Sequence, residues 1–272
     1  MADVSEFEQV SRAALAALER GETIAQATVV QVRGSAPRHA GARMLIWPSG
    51  HIAGTIGGGT LEERVVQHAQ EALQIHRGRL EKYVFSAGYD PESVGLCGGE
   101  VLVHIEVLEA DPTLVIIGAG HVAYALAQLA PLAGMRLIVV DDRAEFLTPD
   151  RFPQADRLIC VQYDRQTEQL EPLPVQLTPA SYVVVATWGW DEPALAQILK
   201  ADPQPAYVSL ISSKTKWRVI RKMLAERGVD AARLDRVRAP AGLPIGAETP
   251  GEIAIALIAE MLAVRRKAGT AA

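Results

Sequence analysis

Cysteine is scarce in this chain. Only Cys97 and Cys160 occur among its 272 residues, and they form no C-x-x-C pair, which removes zinc-ribbon and dithiol redox motifs. Basic charge is not in excess either. Lys and Arg number 27 against 32 Asp and Glu, a net charge of −5. A general nucleic-acid binder needs a basic face for phosphates, so that class is excluded. One small anion held by backbone amides is not. No apolar run approaches the ~20 residues that span a bilayer. The opening "MADVSEFEQV" is acidic and has no apolar h-region, so a signal peptide is not expected, and a cytoplasmic location with reduced thiols is. The six histidines are scattered, and neither H-E-x-x-H nor G-x-S-x-G appears. What remains is ordinary globular composition, 49% hydrophobic and 22% charged, enough for one large domain or two ordinary ones.

The first half mixes short elements. "SEFEQVSRAALAAL" carries Phe7, Val10, Ala14 and Leu18 at helical spacing, and "ATVVQV" reads as a strand. "RGSAPRHAGAR" is a loop with three arginines and a histidine. "MLIW", a turn at "PSG" and "HIAGT" predict a β-hairpin. "TLEERVVQHAQEALQIH" predicts a helix with Leu61, Val65, Ala69 and Leu73 on one face, and strands follow at "KYVF" and "EVLVHIEVL". This pattern predicts a small α+β domain over residues 1–110, with a seam at "EADP".

The second half changes style. "TLVIIGAG", "MRLIVVDDR", "DRLICV", "SYVVVAT" and "AYVSLIS" are continuous apolar strands alternating with helical stretches. That is the signature of a parallel sheet covered on both faces, so residues 111–272 are expected to form a Rossmann-like α/β domain. Gly118-Ala119-Gly120-His121-Val122-Ala123 reads G-x-G-x-x-A, follows a strand, opens a helix, and precedes an acid, Asp141, at the end of the next strand. Gly118 permits the tight turn, and Gly120 lets a pyrophosphate reach the helix N-terminus. Asp141 is placed to accept from a ribose, whereas Arg143 beside it offers a partner for a 2′-phosphate. NAD and NADP both stay open, as does a Rossmann shape that carries no dinucleotide. His121 would lie beside a pyrophosphate or simply face solvent. Thr187, Trp188 and Trp190 end a parallel strand, where ligands sit in such sheets; the tryptophans equally serve to cover the sheet edge.

Two glycine clusters remain. In "GTIGGGTLEE", Gly57, Gly58 and Gly59 precede a helix, with Thr60 and Glu63 spaced as a capping box. Amides without side chains at a helix N-terminus suit a phosphate or another oxyanion; a tight strand-to-helix bend is the plainer alternative. In "GLCGGE", Cys97 is flanked by glycines, which suggests an exposed thiol able to ligate a soft metal or carry sulfur. Cys160, inside "RLICV", is assigned to the core.

The order "GSAPRHAGARML", "GTIGGGTLEE", "GLCGGE", "VIIGAGHVA", "VVDDR", "ATWGWDEPAL", "YVSLISSKTK" and "APAGLPIGAETPGEIAIALIAEML" resembles the XdhC/CoxI family, the accessory proteins of xanthine dehydrogenase and related molybdenum hydroxylases. The resemblance runs from about residue 20 to 264. It implies a maturation factor that binds molybdenum cofactor, with or without a nucleotide extension. It also implies protection of that cofactor during sulfuration by a cysteine desulfurase, and delivery to the apoenzyme. A homodimer would match dimeric clients. The family's Cys-Gly-Gly falls on Cys97, Gly98 and Gly99, and Cys97 becomes the candidate molybdenum- or sulfur-handling thiol. Its glycine turn falls on Gly57, Gly58 and Gly59, with Thr60 and Glu62 following. Its Rossmann residues fall on Gly118, Gly120, His121, Asp141, Asp142 and Arg143, and Thr187 joins the cofactor contacts. Here "GLCGG" is one residue shorter than the family pattern, and Ser209 and Ser212 replace glycines. An NAD(P)-dependent oxidoreductase is the alternative, although no catalytic acid or base stands out for it.

Overall fold

A computed structural model of the chain describes residues 5–86, 93–95 and 98–268. These divide into two compact units, one of residues up to Ala110 together with those from Arg266 onward, the other Asp111–Arg265.

The first unit runs α1 (Glu6–Glu19), β1 (Ile24–Arg33), β2 (Arg43–Ile46), β3 (Ile52–Gly54), α2 (Gly59–Gln74), β4 (Arg79–Val84) and β5 (Glu100–Leu108). The strands form one antiparallel sheet in the order β3-β2-β1-β5-β4. The expected hairpin is β2–β3, with Leu45 opposite Ala53. Side chains alternate across a strand, so the sheet has two distinct faces. Ala25, Ala27 and Val29 of β1 meet α2, which buries Leu61, Val65, Ala69 and Leu73 as the periodicity predicts. Ile24 and Leu45 belong to the other cluster, with Val10, Ala14 and Ala17 of α1. Each fully buried Val, Leu or Ile among these contributes about 1.5–3 kcal/mol, offset by the chain entropy lost. Phe7 departs from the expected face. It is 62% exposed, and its ring lies under the Arg43 guanidinium at 4.8 Å.

The second unit runs β6 (Thr113–Ile117), α3 (His121–Leu129), β7 (Arg136–Asp141), β8 (Arg157–Cys160), β9 (Tyr163–Asp164), β10 (Gln169–Leu170), β11 (Ser181–Val185), α4 (Asp191–Lys200), β12 (Tyr207–Leu210), α5 (Lys214–Glu226), α6 (Ala231–Asp235), β13 (Val237–Arg238) and α7 (Pro250–Ala268), the last three residues of α7 falling outside the unit. Six strands pair in parallel in the order β13-β12-β11-β6-β7-β8. Val115, Ile117, Val183 and Val185 pack with α4 and α5 residues on one face. Leu114, Ile116, Tyr182 and Val184 pack with α3 and α7 residues on the other. Two apolar faces explain why these strands read as unbroken hydrophobic runs. The chain reverses its winding between β6 and β11, so their carboxyl ends form the switch point at which such sheets bind ligands.

Two expectations fail here. No helix links β8 to β11; the connection is the short β9–β10 ladder and an extended stretch in which Pro172, Pro174 and Pro179 remove the amides a helix needs. Cys160 is exposed rather than in the core. β8 is the sheet's edge strand, and alternation turns Ile159 inward and Cys160 outward. Among the described residues, no helix is long and apolar enough to cross a membrane.

Candidate functional site

The carboxyl end of the parallel sheet places Gly118, Gly120, His121, Asp141, Asp142, Arg143 and Thr187 near one another through a chain of contacts. Gly118 adopts φ +110°, and a Cβ there would lie 2.3 Å from the Ala186 carbonyl oxygen, so only glycine fits between the ends of β6 and β11. Gly120 caps α3 with φ −73°, and a Cβ on it would meet no atom within 4 Å. This open backbone at a helix N-terminus is where a phosphate fits. His121 is exposed on the first turn of α3.

Asp141 is only 1% exposed. Its carboxylate accepts the Ala119 amide at 2.5 Å, the Arg143 amide at 2.9 Å, and Arg143 Nε and Nη2 at 2.8 and 2.9 Å. Burial by itself would raise its pKa. The Arg143 guanidinium and the two amides outweigh that and hold it below the ordinary carboxylate value. Oδ2 therefore ties the glycine turn to Arg143, while Oδ1 holds Arg143 alone. Asp142 accepts Trp190 Nε1 at 3.1 Å and Arg165 Nη2 at 2.7 Å. Trp190 is fully buried with its indole nitrogen satisfied, while Trp188 is 76% exposed. Thr187 donates its amide and hydroxyl to Asp191 Oδ1 at 3.0 and 2.7 Å, and Lys216 pairs with the other Asp191 oxygen.

Sequence reasoning missed three cations here. Arg151 donates to the Ala119 carbonyl oxygen at 3.1 Å, with its guanidinium against Phe146, Tyr124 and Phe152. Arg165 holds Asp142 and the Trp188 carbonyl oxygen. Lys216 holds Asp191. Arg151 and Arg165 lie in no recognisable motif, and Lys216 closes the stretch "YVSLISSKTK" without standing out within it, so charge was the only signal for any of them.

In the first unit, the loop after β1 sits against both glycine turns. A Cβ on Gly57 would lie 2.9 Å from Pro37 Cβ, and one on Gly99 would lie 2.2 Å from the Ser35 carbonyl oxygen. Gly34 in turn packs on Gly98 and Gly99. Gly57–Gly59 and Gly98–Gly99 are therefore brought to one end of the sheet. Gly58, Gly59 and Gly98 have positive φ and open space where a Cβ would stand, so a flat or anionic ligand can reach these backbones. Cys97 lies outside the described residues.

The expected capping box is not formed. Gly58 is the N-cap of α2 and has no side-chain cap. Glu62, rather than Glu63, turns back: its Oε1 accepts the Gly58 and Ile56 amides at 2.9 and 3.0 Å and the Thr55 hydroxyl at 2.5 Å. Partial burial pushes the Glu62 pKa up, but these donors together bring it below the ordinary value. Thr60 is exposed. The anion held by this turn is thus the chain's own carboxylate, and Gly59 with the outer face of Gly58 is what stays open to a ligand. Among the described residues, no group of three or more His, Cys, Asp or Glu side chains is placed to hold a metal ion.

A Rossmann-like parallel sheet in one unit and an antiparallel sheet with two glycine turns in the other set the class of architecture to which the chain belongs. The XdhC Rossmann domain model matches residues 114–261, more than half of the chain, and the XdhC and CoxI family model matches residues 17–84. The chain belongs to the XdhC/CoxI family. It is similar to the uncharacterized protein YqeB of Escherichia coli (strain K12), with 39% identity over 92% of this chain and 45% of YqeB, so it spans about half of that relative. It is also similar to a probable xanthine dehydrogenase subunit of Bacillus subtilis (strain 168), 25% identical over 93% and 96% of the two chains. A third relative is the molybdenum cofactor insertion chaperone PaoD of Escherichia coli (strain K12), 24% identical over 94% and 88%.

Proposed function

We propose that this chain is a cytoplasmic maturation factor that binds molybdenum cofactor and hands it to a molybdenum hydroxylase of the xanthine dehydrogenase type, in concert with a cysteine desulfurase. The observation that carries this reading is the loop Gly34–Pro37, which seats the Gly57–Gly59 turn and the Gly98–Gly99 turn at one end of the first sheet. Membership of the XdhC/CoxI family and the names of two relatives support it.

When bound, the cofactor supplies a flat pterin, a phosphate and a soft-ligand metal. The open backbones of Gly58, Gly59 and Gly98 are the surfaces on which a flat ring lies without side-chain interference. Cys97, next to Gly98 in sequence, contributes the soft thiolate for ligation or sulfur transfer. Glu62, already ionised, fixes the turn so that its shape exists before the ligand arrives. In the second unit, Gly120 and the α3 N-terminus take a phosphate or a nucleotide extension, with Arg143, Arg151 and His121 around it. The commitment of Asp141 Oδ2 to Ala119 and Arg143, and of Oδ1 to Arg143, leaves little for a ribose hydroxyl and weighs against the NAD(P)-dependent oxidoreductase.

The test is equilibrium binding of molybdenum cofactor to the purified protein without oxygen, wild type beside Cys97→Ala, with NADH and NADPH titrated in parallel. Tight cofactor binding that weakens in the variant is expected. Absence of cofactor binding, with micromolar-range NAD(P) binding in its place, would sink the proposal.

A further inference from the structure

The loop between β1 and β2 does more than seat glycine turns. Its second half, with the first turn of α1, encloses a cleft of about 370 Å³. Arg38, His39 and Arg43 line it beside Glu6, Phe7 and Val10. The turn presenting them is fixed by three backbone bonds, Val29 N–H to the Ala42 oxygen at 3.0 Å, Gly41 N–H to the Val29 oxygen at 2.8 Å and Ala42 N–H to the His39 oxygen at 3.2 Å. Arg38 pairs with Glu6. Arg43 has no carboxylate partner among the described residues. Its Nε is buried without any hydrogen-bond acceptor, and its guanidinium carbon lies 4.8 Å from the centre of the Phe7 ring.

A buried guanidinium donor without an acceptor is costly, and it is satisfied when an oxyanion enters. The cleft holds two guanidinium groups against one carboxylate. The Glu6–Arg38 pair is roughly 40% exposed on each side, and exposed pairs are weak enough to be exchanged for a ligand's oxygens. Phe7, 62% exposed, and Val10 give the cleft an apolar wall beside the cations. We propose that this cleft binds a small organic oxyanion, a phosphate monoester or a carboxylate, held by Arg43 and Arg38 with its apolar part on Phe7. The cleft is lined by residues 38–43 and by α1, none of which belongs to the turns assigned to the cofactor, and the proposal stands whether or not that assignment holds.

The probes are phenyl phosphate and benzoate, titrated calorimetrically into the full chain, with inorganic phosphate alongside. Binding of one or both organic probes is expected, and the tighter one identifies the oxyanion. Arg43→Gln is expected to weaken it about tenfold or more, as befits a lost charged hydrogen bond. Glu6→Gln, which frees Arg38, is expected to tighten it several-fold, and it keeps the test alive if Arg43→Gln misfolds. Cys160→Ser, on edge strand β8 of the other unit, is expected to leave it unchanged. The proposal is overturned if neither organic probe binds at low millimolar concentration, or if binding is kept at full strength in Arg43→Gln. It is equally overturned if inorganic phosphate binds as tightly as phenyl phosphate, which would leave the apolar wall without a part.

Discussion

Glu62 caps the turn that precedes its own helix: its Oε1 lies 2.9 Å from the Gly58 amide nitrogen. Because Oε1 also takes Ile56 N–H and the Thr55 hydroxyl, one carboxylate fixes the conformation of a segment in which Gly57, Gly58 and Gly59 all have positive φ. A glycine run is otherwise the most entropically costly stretch to order.

Replacing Glu62 by Gln keeps the shape and removes the charge. We expect a loss of about 1.5–3 kcal/mol in urea unfolding at neutral pH, the scale of hydrogen bonds to a charged acceptor. The folded pKa is depressed below the ordinary 4.5, so the charge stabilises fully above that value. The contribution is lost as pH falls through the folded pKa. The wild-type advantage over Glu62→Gln should therefore be flat from neutral pH down to about 4.5 and shrink below it. An advantage that grew on acidification would refute this.

The backbone plan of the second unit was legible in sequence because burial on both faces leaves a mark, as in Leu114–Ile117 and Tyr182–Val185, and because Gly118 and Gly120 occupy positions where side chains are excluded or unwanted. What was not legible depends on chain folding back across distance. Arg151 reaches Ala119 over 32 positions and Arg165 reaches Trp188 over 23, and neither pairing has a local period. Glu62 and Glu63 are adjacent acids, and only the start of α2 at Gly59 instead of beyond Thr60 decides which of them turns back. Cys160 was misplaced because an edge strand has the composition of an inner one while one of its faces is open.

The two glycines of the fingerprint should part company under the same substitution. Gly118→Ala forces a Cβ onto the Ala186 oxygen at 2.3 Å with φ +110°. We expect several kcal/mol of destabilisation or failure to fold. Gly120→Ala enters open space at an ordinary φ, costing at most about 1 kcal/mol at an N-cap, while obstructing any phosphate there. Circular dichroism melts read the first effect, and cofactor binding reads the second. Equal melting of the two variants would contradict the packing described.

Asp141→Asn should behave as the loss of a buried ionic clamp. The Ala119 amide can still find an acceptor, but Arg143 would face a neutral group in a largely buried position. We expect about 2–4 kcal/mol of destabilisation. Adding Arg143→Gln should recover part of it, since the unpaired cation is then gone. Additivity of the two changes in a double-mutant cycle would show that they do not act as a pair.

Cys160 combines access with low reactivity. Its side chain is exposed at the end of edge strand β8. Its thiol is pushed above the ordinary 9.0, first by partial burial and then by the Asp141, Asp142, Glu171 and Glu145 carboxylates. The thiolate is the nucleophile, so a raised pKa reduces the reactive fraction near neutral pH without hiding the sulfur. Brief iodoacetamide treatment of the native protein, read by mass spectrometry, should label Cys160 more slowly than a cysteine in an unstructured peptide. The rate should keep rising about tenfold per pH unit until pH exceeds the ordinary thiol value. Cys160→Ser should change stability by no more than about 0.5 kcal/mol. Labelling as fast as the peptide would mean that the surrounding carboxylates do not act on the sulfur, and a large loss of stability would return Cys160 to the core.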